Sequence, residues 1–141
     1  MNLYELKNNK ARFFPKMNEK YSCIDVYGRV MTVKNQDDLM DRWLIKHHPV
    51  FKTKEEAENY LNYLDLLFEY NYEFSREEWK DNNIDKWLVK YDFCADRLYV
   101  SLEINSKCPD CIYFKTFEDG KDFIKEDGAE NIKKFMFDVW D

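Results

Sequence analysis

The sequence predicts an α+β fold made of two related hairpin–strand–helix units, with an antiparallel sheet packed against helices. Three observations predict it. The segment Phe51-Lys52-Thr53-Lys54-Glu55-Glu56-Ala57-Glu58-Asn59-Tyr60-Leu61 recurs as Phe114-Lys115-Thr116-Phe117-Glu118-Asp119-Gly120-Lys121-Asp122-Phe123-Ile124. Phe, Lys, Thr and Glu are identical between the copies, and Glu/Asp, Ala/Gly, Tyr/Phe and Leu/Ile keep their character. Upstream of each copy, two β-branched and aromatic runs flank a turn signal, as a hairpin requires. Downstream of each copy's Thr, apolar residues recur at helical spacing.

In chain order, residues 1–19 read ambiguously: a marginal helix to about Lys10, then an irregular stretch at Phe13-Phe14-Pro15. The first hairpin pairs Tyr21–Val26 with Arg29–Val33 around a turn at Tyr27-Gly28. Leu39, Met40, Trp43 and Leu44 then place a short helix within Gln36 to Lys46, ended before Pro49. Val50-Phe51 reads as a short strand. Thr53 follows as a helix cap whose hydroxyl accepts from a first-turn amide, and Glu56 sits at the positive end of the helix dipole. Together Thr53 and Glu56 have the capping-box pattern. The helix runs from Lys54 to about Glu69, with Ala57, Tyr60, Leu61, Leu64, Leu67 and Phe68 as its apolar face.

A polar, acidic join, Ser75 to Asp85, leads to the second unit. Its hairpin pairs Trp87–Phe93 with Arg97–Ile104 around Ala95-Asp96, and Tyr113-Phe114 is its short strand. Thr116 caps a helix that turns Phe117, Phe123 and Ile124 inward and stops at Asp127-Gly128. A further helical turn carries Ile132, Phe135 and Met136. The expectation is one domain over residues 1–141, with pseudo-repeats at about 20–74 and 86–137.

Composition narrows the function. Of 141 residues, 45% are apolar and 18% aromatic, with three Gly and three Pro, so a disordered or collagen-like chain is excluded. No apolar run approaches the length of a membrane span. The N-terminal stretch MNLYELKNNKARFF has no apolar signal core, so a cytoplasmic protein with reduced thiols is expected. A net charge of −6 argues against a broad basic surface for direct nucleic-acid binding and permits an acidic face toward a basic partner. Three glycines leave no phosphate-cradling loop.

Cys108-Pro109-Asp110-Cys111 is the sharpest local motif. Its two thiolates fit half a zinc site, with Cys94 as third ligand and Cys23, His47 or His48 as fourth. As a redox motif it fits badly, because it leads into a strand and not into a helix N-terminus. The adjacent His47 and His48 diverge by about 100° on a helix and do not share a ligand. Pro109-Asp110 followed by Asp119-Gly120-Lys121 loosely matches a metal-dependent nuclease pattern, although Asp119 and Lys121 fall in a helical first turn. Acidic clusters at Asp37-Asp38-Asp41, Glu55-Glu56-Glu58, Glu77-Glu78-Asp81, Glu118-Asp119-Asp122 and Glu126-Asp127 suit helix dipoles, or a surface imitating phosphate charge. Tyr63, Tyr70 and Tyr72, if they face solvent, suit a protein interface.

The run Tyr21…Ile24-Asp25…Gly28-Arg29-Val30, then Asp41…Pro49-Val50-Phe51-Lys52-Thr53-Lys54-Glu55-Glu56-Ala57-Glu58, joined to Tyr113-Phe114-Lys115-Thr116…Gly128-Ala129-Glu130-Asn131-Ile132-Lys133-Lys134-Phe135-Met136-Phe137, resembles a broad group of small bacteriophage and prophage accessory proteins from low-GC Gram-positive bacteria. The resemblance spans roughly residues 20 to 137, and the Cys108–Cys111 turn departs from it. It carries over no catalytic residue. It implies a phage-encoded, non-enzymatic protein that binds and inhibits a host protein with a basic surface, such as a nucleic-acid-dependent, CRISPR-type defence complex, without cofactor or membrane. Glu77, Glu78, Asp81, Tyr70 and Tyr72, around the join between the halves, are the expected partner-binding residues. The alternatives are a zinc-stabilised interaction module using Cys94, Cys108 and Cys111, and a metal-dependent nuclease or hydrolase using the Pro109–Lys121 pattern. The oligomeric state is not legible in the sequence.

Overall fold

A computed structural model of the chain describes residues 13–103, 106–108 and 111–140. The marginal helix to Lys10, the end of the second hairpin at Ile104, and Pro109 and Asp110 lie outside the described residues. The fold is α+β, with two antiparallel sheets and five helices among the described residues. In order these are β1 (Lys20–Ile24), β2 (Val30–Lys34), α1 (Leu39–His47), α2 (Lys54–Tyr70), α3 (Arg76–Lys80), β3 (Lys86–Asp92), β4 (Arg97–Glu103), β5 (Tyr113–Phe114), α4 (Phe117–Asp127) and α5 (Ala129–Phe137). The chain divides into two compact units, residues 1–62 with 138–141, and residues 63–137. The division falls inside α2.

In the first unit, β1 and β2 form the hairpin, with Ser22 opposite Thr32 and Ile24 opposite Val30. Asp25 closes the turn by accepting from the Tyr27 and Arg29 amides and from the Arg29 guanidinium. Gly28 takes φ +77°, a conformation that costs a residue with a Cβ. On the other side of β1, Phe51 bridges to Ser22. The core gathers Tyr21, Cys23, Leu44, Ile45 and Val50, with Phe13, Phe14, Met31 and Val33 packed against it.

The second unit repeats this arrangement. β3 is central and pairs with β4 on one side and β5 on the other, with Trp87 opposite both Leu102 and Phe114. In both units, then, the third strand adds to the first strand of the hairpin. The correspondence continues into the helices. Thr53 Oγ1 accepts from the Glu56 amide at 3.1 Å, and Thr116 Oγ1 from the Asp119 amide at 3.0 Å, as the sequence predicts. The next repeat position is small and buried in both, Ala57 and Gly120. Three residues further on, Tyr60 packs on Phe51 at 5.2 Å between ring centroids, and Phe123 on Phe114 at 5.3 Å.

Three local expectations change. The buried side of α2 drifts along its length: Ala57 and Tyr63 are buried, whereas Leu64 and Phe68 are 38% and 91% exposed. Apolar residues nearly encircle the second half of this helix, so periodicity alone does not choose the face. Tyr63 wins the inward position by packing on Phe123 and Phe135. The polar join contains α3, because Ser75 and Glu78 make a reciprocal capping box. Finally, the turn expected after Gly128 is a full helix, α5, with Ile132 buried. Gly128, at φ +90°, separates it from α4.

Candidate functional site

The partner-binding residues expected near the join all lie in the second unit, and most are tied into it. Glu78 accepts from the Ser75 amide at 3.0 Å and from the Tyr72 hydroxyl at 3.1 Å. The amide bond and the hydroxyl bond hold its carboxyl below the ordinary range against the opposing effect of burial. The same hydroxyl bond pushes Tyr72 up. Tyr72 is half-buried beside Phe74, Trp79 and Ile84. Tyr70 donates to Glu126 at 2.7 Å, which pushes its phenol up to about 12. Asp81 ends α3: its carboxylate accepts from the Asn83 amide and its carbonyl from Lys86 Nζ at 2.7 Å. Glu77 and Asp81 are exposed, and Glu78 is half-buried. Tyr63, at 5% exposure, faces the core and not solvent.

Other acidic clusters also serve the fold. Asp38 and Asp41 form a reciprocal capping box on α1, and Asp37 pairs with Arg42 at 3.0 Å. Asp41 reaches deeper. It is 6% exposed, accepts from the fully buried Tyr21 hydroxyl at 2.6 Å, and accepts from the Gln36 amide at 2.9 Å. Burial alone would push its carboxyl up, but these bonds outweigh burial and hold it below the ordinary range. Burial and the adjoining carboxylate push the Tyr21 phenol well above its ordinary value.

Cys94 lies exposed in the β3–β4 turn, Cys108 is exposed, and Cys111 is half-buried against the Phe74–Leu88–Tyr113 cluster. The Cys108 amide donates to the Tyr113 hydroxyl at 2.8 Å. Among the described residues, no group of three or more His, Cys, Asp or Glu is placed to hold a metal ion. Asp119 and Lys121 lie in the first half of α4, as the sequence predicts, and Asp110 is outside the described residues. A recess of about 580 Å³ beside Trp87 is edged by Glu78, Asp85, Glu118 and Lys115. Glu78 there is already engaged by Ser75 and Tyr72.

The feature that sequence reasoning did not single out is the outer face of α1. Leu39 is 83% exposed, Met40 63% and Trp43 51%. The residues of this helix that do point inward are Asp41, Leu44 and Ile45. The Trp43 ring lies 4.6 Å from that of His48 and 5.9 Å from that of His47, between ring centroids. Of the four apolar residues whose spacing predicts α1, only Leu44 is buried. The signal that distinguishes them is the Asp38/Asp41 capping box, which turns Asp41 inward beside Tyr21 and so rotates Leu39 and Met40 outward.

Among the described residues no helix is long and apolar enough to cross a membrane. No protein-family model matches the chain, and neither a curated protein nor a solved structure matches it.

Proposed function

We propose that this chain is a phage-encoded, non-enzymatic binding protein of the host cytoplasm that inhibits a host protein, with a nucleic-acid-dependent defence complex as its target. The observation that carries the binding reading is the Leu39–Met40–Trp43 surface of α1. Three large apolar side chains in one and a half turns, each more than half exposed, are costly to leave in water. Trp and Met are also residue types enriched where interfaces anchor. The chain's net charge of −6 favours a partner whose facing surface is basic. The phage origin and the choice of target rest on the resemblance of residues 20–137 to phage accessory proteins.

The test is phage plating on low-GC Gram-positive hosts that carry active nucleic-acid-guided defence systems. Expression of the native chain restores plating and the tagged chain copurifies with the defence complex, whereas Trp43→Glu does neither while retaining the native thermal transition. Failure to restore plating on any such host, or equal restoration by Trp43→Glu, refutes the reading.

A further inference from the structure

The second sheet has one long open edge. β4 pairs only with β3 among the described residues, so alternate residues along its other side aim amides and carbonyls outward. Such edges are normally protected by a mid-strand charge, a proline or a bulge. β4 has none of these. Its sequence is Arg97-Leu98-Tyr99-Val100-Ser101-Leu102-Glu103, uncharged from Leu98 to Leu102, with a cation at one end and an anion at the other. β2 is an edge strand too, but two residues shorter and ending on Lys34, and β5 has two residues in all.

Beside this edge lies an apolar groove of about 370 Å³. Four consecutive β4 residues, Arg97 to Val100, line it together with Phe117 and Ile124. The register places Leu98, Val100 and Leu102 on the face that carries Trp87 and α4, and Val100 lies directly against Gly120 there. Leu102 is nevertheless 41% exposed, and Tyr99, on the opposite face, is 38% exposed.

We infer that this edge is a homodimer seam, in which a second copy of the chain adds its own β4 antiparallel to the first, with the two-fold axis at Val100. The sequence of β4 is self-complementary in that register and in no neighbouring one. Arg97 faces Glu103 of the second copy, twice by symmetry. Leu98 faces Leu102, Tyr99 faces Ser101, and Val100 faces itself. Residues opposite each other across an antiparallel pair share a face, so Leu102 of the second copy enters the groove at Leu98, Phe117 and Ile124. On the other face, beside Tyr99, Arg97 stands where Glu103 of the second copy arrives. A one-residue slip would put every apolar side chain of the added strand on the wrong face. The surface is distinct from the α1 face, so the seam stands or fails separately from the proposed function.

Sedimentation velocity of the full chain, from about 5 to about 500 μM, tests the seam by mass action. The native chain shifts from a 17.3-kDa monomer to a dimer as concentration rises. Arg97→Glu and Glu103→Arg each set like charges opposite one another at both ends of the seam, and each weakens self-association at least tenfold. Mixed one to one, the two variants restore dimerisation, because both end pairs become complementary again. Glu103 also faces Lys86 across the ladder, so a native far-UV spectrum is required of Glu103→Arg. If that variant does not fold, Leu102→Asp, which places a carboxylate in the apolar groove, takes its place and abolishes the dimer. A single 17.3-kDa species at every concentration, a dimer indifferent to Arg97→Glu, or a mixture that stays monomeric overturns the inference.

Discussion

Replacing Asp41 with Ala strikes the first unit at the buried carboxylate–phenol bond between Asp41 and Tyr21. The Tyr21 hydroxyl is fully buried and donates a hydrogen bond to Asp41 at 2.6 Å. Without that acceptor it is left unsatisfied, at a cost of about 1–3 kcal/mol. The reciprocal half of the α1 capping box is lost as well, worth about 0.5–1 kcal/mol. The Gln36 and Asp38 amides, also freed, belong to exposed residues and turn to water. The total is about 2–4 kcal/mol, or a fall in Tm of roughly 6–15 °C for a chain of this length. Urea unfolding at neutral pH measures it, and a cycle with Tyr21→Phe isolates the pair, with a coupling of about 1–2 kcal/mol. The bonds that hold the native Asp41 carboxyl down make its contribution fully present above the unfolded value of about 4. It is lost as pH falls through the lower native value, so Asp41→Ala flattens the acid limb of the stability curve. A loss below about 0.5 kcal/mol, or strictly additive single effects, would refute the reasoning.

Gly120→Ala adds a methyl 3.0 Å from both γ-carbons of Val100, a stiff β-branched side chain in a paired strand. It destabilises by about 1 kcal/mol despite the gain in helix propensity, and the sign reverses in a Val100→Ala background. Both are read from thermal unfolding. Glu126→Gln removes the negative acceptor of the Tyr70 hydroxyl bond, so the Tyr70 phenol falls from about 12 toward the ordinary 10. Titration by carbon-13 tyrosine resonances measures this directly. Cys23, fully buried and with its thiol pushed up by burial, is unreactive toward a disulfide reagent in the native chain, whereas exposed Cys94 reacts at once. Cys23 becomes reactive only at the rate of unfolding, which stopped-flow absorbance follows.

The duplicated frame is legible because its signals are local and redundant. Thr53 and Thr116 announce helices by cap chemistry, Gly28 announces a turn by backbone freedom, and Phe51 and Phe114 align the two copies. The drift of the α2 face was not legible: between Leu61 and Tyr70 nearly every side of the helix carries an apolar residue, and the choice of Tyr63 over Leu64 is made by Phe123, some sixty positions away. The capping boxes on α1 and α3 were written in plain local patterns, Asp38–Asp41 and Ser75–Glu78. They were masked by reading those acids as charge rather than as hydrogen-bond acceptors. The symmetry of β4 is present in its letters, but it means something only once the register shows which of its sides lacks a neighbour.

One contrast between the two copies has a wider consequence. Between the hairpin and the third strand, the first copy uses residues 35–49, which contain α1, whereas the second uses residues 104–112, around Cys108 and Cys111. The frame on either side is the same, and in the first copy the inserted helix has two duties: Asp41, Leu44 and Ile45 complete the core, while Leu39, Met40 and Trp43 stay outside it. Redrawing only those three outer positions gives a route to new recognition surfaces on an unchanged chassis.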